Sequence, residues 1–333
     1  MNRQLRGNLL LIITALIWGV SFVAQKAGME YIGPFTFNGI RFLLGSLVLI
    51  PVILVMDTLQ RRRRSGEIDA EPIKIAKNGK TLITGGLSCG AVLFIAATLQ
   101  QIGMVYTTVG KAGFITALYI VLVPIFGRFI GRKIRPVLWL CVALASFGLY
   151  LLCVKEDLSV GRGDLLMIAS ALGFAGHILV IDYFSPKADG IKLSCLQFLT
   201  AGLLSAPFML LLETVNWIKI FACLQPILYS SVMSCGVAYT LQIIAQKDTE
   251  PTVASLIMSL ESVFAVIAGI LLLNEQVSFR ETLGCVIMFA AILLAQLPSK
   301  KESPAKIKSQ RTNFVSSYLV ILLTRSTQTG REE

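Results

Sequence analysis

Four ionisable side chains stand inside or at the edge of long apolar stretches of this 333-residue sequence: Arg41, Lys111, His177 and Glu261. A charge at the centre of an apolar membrane helix costs about 2.5 to 3.5 kcal/mol, so such residues are functional candidates. Glu261 could exchange protons or hold an amine, and His177, the single histidine, could relay protons. The Arg41 guanidinium could bind a carboxylate or phosphate through paired hydrogen bonds.

Each of these four side chains also has a structural interpretation. Glu261 could serve as a partner for a nearby cation or polar side chain, and Arg41 could pair with Glu261 or extend its charge towards the membrane surface. Lys111 could contact an anion at the mouth of a cavity or anchor its helix at the interface. His177 could be a hydrogen-bonded structural residue. The sequence leaves these alternatives open.

The composition is that of a membrane protein. Mean hydropathy is +0.75, with 55% hydrophobic and 15% charged residues, which lies outside the usual range of soluble domains. Ten apolar runs between Asn8 and Leu297 approach the roughly 20 residues that a helix needs to cross the hydrocarbon. Because lipid offers no hydrogen-bond partners to unpaired backbone, we expect an all-α integral membrane protein with ten transmembrane helices.

The chain contains an internal repeat. The segment Ala254 to Leu297 resembles Ala112 to Val154 at an offset of 142 residues, and earlier helices match at an offset of 156, as with Phe42 and Phe198. The difference falls on one loop, which has 24 residues in the first copy and 10 in the second. The sequence therefore predicts two copies of one helical unit.

Each copy holds five predicted helices, with bounds 7–154 and 161–297. Because five is odd, the second copy must enter the membrane from the opposite side, which makes an inverted-topology repeat. A basic tail, 298–333, follows, and its apolar run Phe314 to Leu323 is too short to span a bilayer. We expect a loose or membrane-surface cytoplasmic tail, or a segment that docks on the bundle or a partner.

Positive charge is distributed unevenly over the loops. With the N-terminus inside, the cytoplasmic segments hold 21 Lys and Arg residues and the other side holds 6. This positive-inside bias predicts cytoplasmic N- and C-termini and accounts for the net charge of +11 without nucleic acid. A short chain with basic cytoplasmic loops fits a bacterial inner membrane, so we expect a multi-pass protein of the cell membrane.

Enzymatic, metal and cofactor chemistry have no signature here. The seven cysteines lack CxxC spacing, and the sequence has no HExxH motif, no second histidine and no nucleotide-binding loop. We expect no metal and no cofactor, and an intramembrane enzyme remains a remote alternative.

Three motifs appear in order along the repeated frame: Leu16-Ile17-Trp18-Gly19-Val20-Ser21-Phe22, the segment from Tyr106 to Thr116 leading to Pro124, and Leu272-Leu273-Asn274-Glu275-Gln276-Val277-Ser278. With these motifs the sequence resembles a ten-helix, EamA-type member of the drug/metabolite transporter superfamily. It departs from the family pattern at Arg132-Lys133, where a Gly-Glu pair is common, and at Ser262, where a proline is expected.

The resemblance implies a transporter with a central cavity between the repeats. Amide, hydroxyl, aromatic and ionisable side chains are then predicted to line it: Trp18, Ser21, Gln25, Arg41, Gln100, Tyr106, Lys111, Tyr119, His177, Gln197, Tyr239, Gln242 and Glu261. Glu261 and His177 are the candidates for proton coupling.

The resemblance and the predicted lining together favour a secondary transporter that exports an amino acid or related small metabolite by alternating access. A carrier of drugs, purines or sugar derivatives is the alternative within the same fold. The expected partners are a small-molecule substrate and the lipid bilayer. Coupling to protons and a homodimer remain open.

Overall fold

The computed structural model describes residues 3–66, 79–107, 109–153, 161–273 and 278–295, and every regular element within these ranges is a helix. The prediction of an all-α protein is confirmed. The predicted tail, 298–333, and the Asn274-Glu275-Gln276 segment lie outside the described residues.

The helices follow the predicted repeat. Those of the first half are α1 (Arg3–Gly28), α2 (Pro34–Gly66), α3 (Gly79–Tyr106), α4 (Val109–Thr116), α5 (Tyr119–Phe129) and α6 (Pro136–Cys153). Those of the second half are α7 (Arg162–Phe184), α8 (Gly190–Leu212), α9 (Trp217–Ala222), α10 (Leu224–Leu228), a π-helical segment (Tyr229–Tyr239), α11 (Thr240–Ala245), α12 (Pro251–Met258), α13 (Glu261–Leu273) and α14 (Phe279–Ala295).

Eight helical stretches in the described part of the chain are long and apolar enough to cross a membrane. They include the joined stretches Ala112–Phe129, Leu224–Ala245 and Pro251–Ala268. The helices Pro136–Leu151 and Thr282–Ala295 are apolar but shorter. The prediction of a membrane protein is therefore confirmed, whereas the number of ten membrane-spanning helices stays a prediction.

The helix packing is nearly unchanged when the two repeats are exchanged. Helix α2 packs against its repeat equivalent α8, and α6 packs against its equivalent α14. The contact of α3 with α7 is repeated by the contact of α1 with the π-helical segment and α11. Repeat-equivalent residues even touch each other. The rings of Phe42 and Phe198 stack with centroids 6.1 Å apart, and Tyr119 hydrogen-bonds Glu261, 142 residues further on. A pseudo-twofold axis therefore passes between these pairs.

The repeats run in opposite directions. At the end of α1, Lys26 Nζ donates to the carbonyl oxygens of Met104 (2.8 Å) and Thr107 (3.0 Å), and the Thr107 hydroxyl donates to Asp164 at the start of α7. The start of α1 lies elsewhere, with Gly7 against Ala245 at the end of α11. Helix α7 thus begins where α1 ends, and the prediction of inverted repeats is confirmed. We call this end of the bundle the Lys26 end.

The opposite end carries two ion pairs between the repeats, and we call it the Arg132 end. Arg132 pairs with Asp182 of α7, and Lys192 of α8 pairs with Asp57 of α2 at 2.8 Å. Arg132 and Lys192 are two of the 21 Lys and Arg residues that the positive-inside bias predicts on the cytoplasmic side. Which end faces the cytoplasm stays a prediction.

Helices α2 and α8 are joined at both ends. At the Lys26 end the Glu213 carboxylate accepts hydrogen bonds from the backbone N–H groups of Phe35 (2.9 Å) and Thr36 (2.8 Å) and from the Thr36 hydroxyl (2.6 Å). Glu213 is the repeat equivalent of Asp57, and Thr36 is the equivalent of Lys192, each 156 residues apart. The same two positions therefore link α2 to α8 at either end of the bundle.

Candidate functional site

A cavity lies between the repeats. Residues of both repeats line it: Trp18, Phe22, Gln25, Arg41, Gln100, Thr116, Tyr119, Phe174, Ser234, Tyr239 and Glu261. The structure thus brings together seven of the residues predicted from the sequence: Trp18, Gln25, Arg41, Gln100, Tyr119, Tyr239 and Glu261.

Glu261 reaches the cavity because its helix is interrupted. Helix α12 ends at Met258 and α13 begins at Glu261, and the first repeat has the equivalent interruption between Thr116 and Tyr119. Both α5 and α13 begin at the cavity, where the Tyr119 hydroxyl donates to Glu261 Oε1 at 2.9 Å. Glu261 is 3% exposed. The start of a helix favours a negative charge at this position.

The interruption before Glu261 forms without the proline that the family pattern places after this residue. Ser262 stands there, and its hydroxyl donates to the Gly113 carbonyl oxygen at 3.1 Å. This bond ties the start of α13 to α4. A side-chain hydrogen bond between the repeats thus holds the segment that positions Glu261.

Arg41 presents a buried positive charge in the cavity wall. Its side chain is 2% exposed, Nη1 donates to Gln25 Oε1 at 2.7 Å, and the guanidinium lies 4.7 Å from the centroid of the Phe42 ring. Across the residues that the structure describes, Arg41 forms no ion pair and its Nε has no hydrogen-bond partner. Neither pairing with Glu261 nor extension to the membrane surface is observed, so the guanidinium can accept an anionic group.

Aromatic rings form another part of the wall. Trp18 and Tyr239 meet edge to face with centroids 4.6 Å apart. The Tyr239 ring also lies 5.9 Å from His177, whose Nε2 is 3.1 Å from Gln197 Oε1. His177 and Gln197 are buried behind Tyr239 and do not border the cavity. A substrate in the cavity would meet the aromatic wall before it met His177.

The other predicted site residues lie in different places. Ser21 is buried behind Gln25, and the Ser21 hydroxyl lies 3.3 Å from Gln25 Nε2. Gln242 is buried in α11 and does not line the cavity. Tyr106 is 68% exposed at the end of α3, so its side chain does not line the cavity. The side chain of Lys111 lies outside the described part of the structure.

Four lining residues were missed in the sequence: Phe22, Thr116, Phe174 and Ser234. Phe22 and Thr116 belong to the motifs that carry the family resemblance, and Gln100 Nε2 donates to the Thr116 hydroxyl at 3.1 Å. Phe174 lies one helical turn before His177, which is a usable signal. Ser234 has none, because it lies in the π-helical segment and an apolar run does not reveal π-helical geometry.

The π-helical segment is held against α1. The Tyr229 hydroxyl donates to the Ile17 carbonyl oxygen at 3.0 Å, and the Thr14 hydroxyl donates to the Ala238 carbonyl oxygen at 3.1 Å. Such segments are rare and are frequent at functional sites. Here the segment brings Ser234 and Tyr239 to the cavity wall.

Inverted repeats of helices around a buried polar cavity define a class of membrane transport proteins. The family profile described as "EamA-like transporter family" matches residues 5–154 and again 161–297. The chain therefore belongs to the EamA-like transporter family, which confirms the resemblance seen in its motifs, and it is a membrane transporter.

Related proteins agree with this assignment. An uncharacterized transporter of Archaeoglobus fulgidus is 29% identical over 89% of this chain and 87% of its own length. The uncharacterized transporter YoaV of Bacillus subtilis is 23% identical over 85% of this chain and 94% of its own. A crystal structure of another protein, at 16% identity, matches with a TM-score of 0.70 over 87% of this chain and 96% of that one. That protein has the same fold.

Proposed function

We propose that the protein exports an amino acid or a related small metabolite across the cell membrane by alternating access at the cavity between the repeats. The observation that carries this proposal is the buried guanidinium of Arg41, which borders the cavity and has no ion-pair partner in the described part of the chain. A desolvated cation without a counter-ion is costly, and a carboxylate on the substrate would supply one.

Glu261 supplies the complementary charge. It borders the same cavity, and its Oε1 is held by Tyr119. A substrate ammonium group would balance its carboxylate, just as a substrate carboxylate would balance Arg41. A zwitterion carries both groups, and the rings of Trp18, Phe22 and Phe174 would pack against its side chain.

A carrier of drugs, purines or sugar derivatives is the second candidate. The aromatic lining favours it, because Trp18 and Tyr239 offer a surface on which a planar ring can pack. This alternative assigns Arg41 no role in choosing the substrate, so the two candidates differ in whether binding depends on a carboxylate.

Glu261 is the proposed proton-coupling group. Substrate and proton can compete for its one carboxylate, and His177 behind Tyr239 is the second candidate.

The orientation in the membrane is proposed from the loops. We place both termini in the cytoplasm because of the positive-inside bias of the loops. A homodimer is compatible with these proposals and is required by none of them.

Fluorescence of Trp18 tests the substrate class directly. Replacing the exposed Trp139 and Trp217 by phenylalanine leaves Trp18 as the single tryptophan. The purified protein is then titrated with an amino acid, its carboxamide and its decarboxylated amine. We expect saturable quenching by the amino acid and affinities at least 10-fold weaker for both analogues. Equal binding of all three, or binding of purines alone, would refute the amino-acid proposal.

A further inference from the structure

Unsatisfied buried polar atoms recur at equivalent positions of the two repeats. In the first repeat, Asn38 Oδ1, Arg41 Nε and Thr98 Oγ1 find no hydrogen-bond partner among the described residues. Their repeat equivalents at offsets of 156, 156 and 142 are Ser194, Gln197 and Thr240. Within the same described ranges, Ser194 Oγ, Gln197 Nε2 and Thr240 Oγ1 also lack partners.

Accidental packing does not explain this recurrence. A buried polar atom left without a hydrogen bond costs about 1 to 3 kcal/mol, and native proteins contain few of them. Three such positions in one repeat match three in the other, although the residue types differ at two of them. A feature kept through this divergence belongs to the architecture of the repeat. Polar groups of this kind are expected to face water or a polar solute.

The first set, which we call the Arg41 cluster, belongs to the central cavity. It comprises Asn38, Arg41 and Thr98, and Arg41 itself borders the cavity. Arg41 bonds Gln25, which is followed in α1 by Lys26, and Gln101 Nε2 donates to the Gln25 carbonyl oxygen at 3.2 Å. These contacts lead from Arg41 towards the Lys26 end of the bundle.

The second set, which we call the Gln197 cluster, lies behind the aromatic wall. It comprises Ser194, Gln197 and Thr240, and Gln197 bonds His177 at 3.1 Å. Tyr239 borders the cavity on one side and lies against His177 and Phe198 on the other, at centroid distances of 5.9 Å and 5.7 Å. The Tyr239 side chain therefore separates the Gln197 cluster from the cavity.

Polar side chains continue from the Gln197 cluster towards the Arg132 end. Gln246, just after α11, is fully buried, and its Nε2 donates to the carbonyl oxygen of Ile178 beside His177 at 3.1 Å. Its Oε1 lacks a partner in the described residues, as does Gln242 Oε1 one turn earlier. The two clusters are thus followed by polar groups in opposite directions, as the inverted repeat requires.

We propose that the Gln197 cluster is a second polar chamber, closed off from the central cavity by Tyr239, which takes up water and the uncharged hydrogen-bonding groups of a solute. The chamber opens to the Arg132 end, and the Arg41 cluster opens to the Lys26 end. Tyr239 is the gate between them. The three residues of the Gln197 cluster carry no charged side chain, so the chamber would let a solute pass without holding it. The charged Arg41, in contrast, would bind the solute in the central cavity.

Cysteine accessibility tests this proposal. Single cysteines are placed at Ser194, Thr240, Asn38 and Thr98 in a protein whose seven natural cysteines are replaced by alanine. Right-side-out and inside-out vesicles are then treated with sulfonatoethyl methanethiosulfonate, a small thiol reagent that does not cross membranes. The controls are Leu193→Cys and Leu93→Cys, which are apolar and as fully buried as Ser194 and Asn38.

We expect Ser194→Cys and Thr240→Cys to react at least 10-fold faster than Leu193→Cys, and from one face only. From the opposite face, Asn38→Cys and Thr98→Cys should react with the reagent at least 10-fold faster than Leu93→Cys. Adding Tyr239→Ala should make Ser194→Cys reactive from both faces, whereas Tyr239→Phe should not. Rates at Ser194 and Thr240 no higher than at Leu193, or no effect of Tyr239→Ala, would overturn the proposal.

Radiolytic footprinting of the unmodified protein covers the case in which a variant fails to fold. Hydroxyl radicals made from buried water oxidise side chains beside that water. We expect His177 to be oxidised faster than Met288, which is fully buried between α6 and α14 and has the intrinsically more reactive side chain. Slower oxidation of His177 would overturn the proposal. Neither readout needs a substrate, so failure here would leave the proposed amino-acid export standing.

Discussion

Equivalent residues of the two repeats differ in chemistry at the cavity. Glu261 corresponds to Tyr119, and Arg41 corresponds to Gln197, so the acid and the base each occur in one repeat only. Tyr119 and Glu261 meet at the pseudo-twofold axis and bond each other. Two carboxylates at this axis would repel each other, whereas a phenol hydroxyl can donate a hydrogen bond to a carboxylate. The repeats thus supply a common frame, and divergence at a few positions supplies an asymmetric binding site.

Replacing Glu261 tests its part in energy coupling. Glu261→Gln keeps an oxygen that can accept the Tyr119 hydrogen bond but cannot exchange a proton. We expect transport driven by a pH gradient to fall at least 10-fold while the melting temperature in detergent stays the same. Tyr119→Phe is the matched control, since it removes the hydrogen bond and leaves the acid. Full pH-driven transport by Glu261→Gln would exclude Glu261 from coupling.

Replacing Arg41 separates charge from geometry. Arg41→Lys keeps a cation but loses the planar fork, and Arg41→Gln loses both. Because a hydrogen bond to a charged group contributes about 1.5 to 3 kcal/mol, we expect KM for the substrate to rise about 10-fold in the first variant and about 100-fold in the second. Transport assays in proteoliposomes measure this. Arg128→Gln, at an exposed site, is the control, and an unchanged KM in Arg41→Gln would exclude carboxylate binding by Arg41.

The sequence allowed some of these residues to be predicted and hid others. Arg41 and Glu261 were visible because an ionisable group inside an apolar run is costly and therefore informative. Phe174 was overlooked although it lies one helical turn before His177. Ser234 was not visible, since a small hydroxyl side chain in such a run is equally suited to packing. His177 was recognised, but its place behind Tyr239 depends on ring packing that spacing does not reveal.

At the scale of elements, the structure interrupts helices that the sequence predicted as continuous. Neither interruption, at Ala117-Leu118 or at Ser259-Leu260, contains a proline or a glycine that would predict a break in the helix. Pro124 is the nearest proline in the first repeat, yet the interruption comes six residues before it. The second repeat has Val266 at the equivalent position. The interruptions therefore follow from packing at the pseudo-twofold axis rather than from a local breaker.

Close approach of α1 to α13 is a feature of the fold that can be tested. A Cβ at Gly19 would lie 2.6 Å from Phe264 Cβ and 2.8 Å from the Ala265 nitrogen and the Glu261 carbonyl oxygen. Because backbone must move, Gly19→Ala should destabilise the protein by about 1 to 3 kcal/mol. Gly176→Ala is the control in α7, where the nearest atom is 3.9 Å away. Thermal unfolding in detergent measures both, and equal melting temperatures would contradict this packing.

At the scale of the molecule, the inverted repeat was predictable in outline. The two offsets in the sequence revealed the duplication, and the odd number of predicted helices gave the inversion, which the Lys26 and Thr107 contacts confirm. The links between α2 and α8 at both ends were not predictable, because Asp57 bonds the Lys192 ammonium while Glu213 bonds backbone N–H groups. Different residue types thus make equivalent contacts.

Orientation in the membrane is tested by moving charge. Neutralising Arg61 to Arg64 and adding lysines beside Lys219 reverses the local bias between the two faces. We expect a reporter fused to the C-terminus to show mixed or inverted orientation in cells, whereas the same lysines added beside Lys192 should leave it cytoplasmic. An unchanged topology after the first set of changes would contradict the positive-inside assignment.

The most direct test of the proposed function is flux through the purified protein in proteoliposomes. Labelled amino acids, purines and cationic dyes are offered with and without an imposed pH gradient, and Arg41→Gln and Glu261→Gln are measured beside the unmodified protein. We predict saturable, gradient-dependent flux of an amino acid, which Arg41→Gln weakens and Glu261→Gln uncouples from the gradient. Flux of purines or dyes alone, unaffected by either substitution, would contradict an amino-acid exporter built around Arg41 and Glu261.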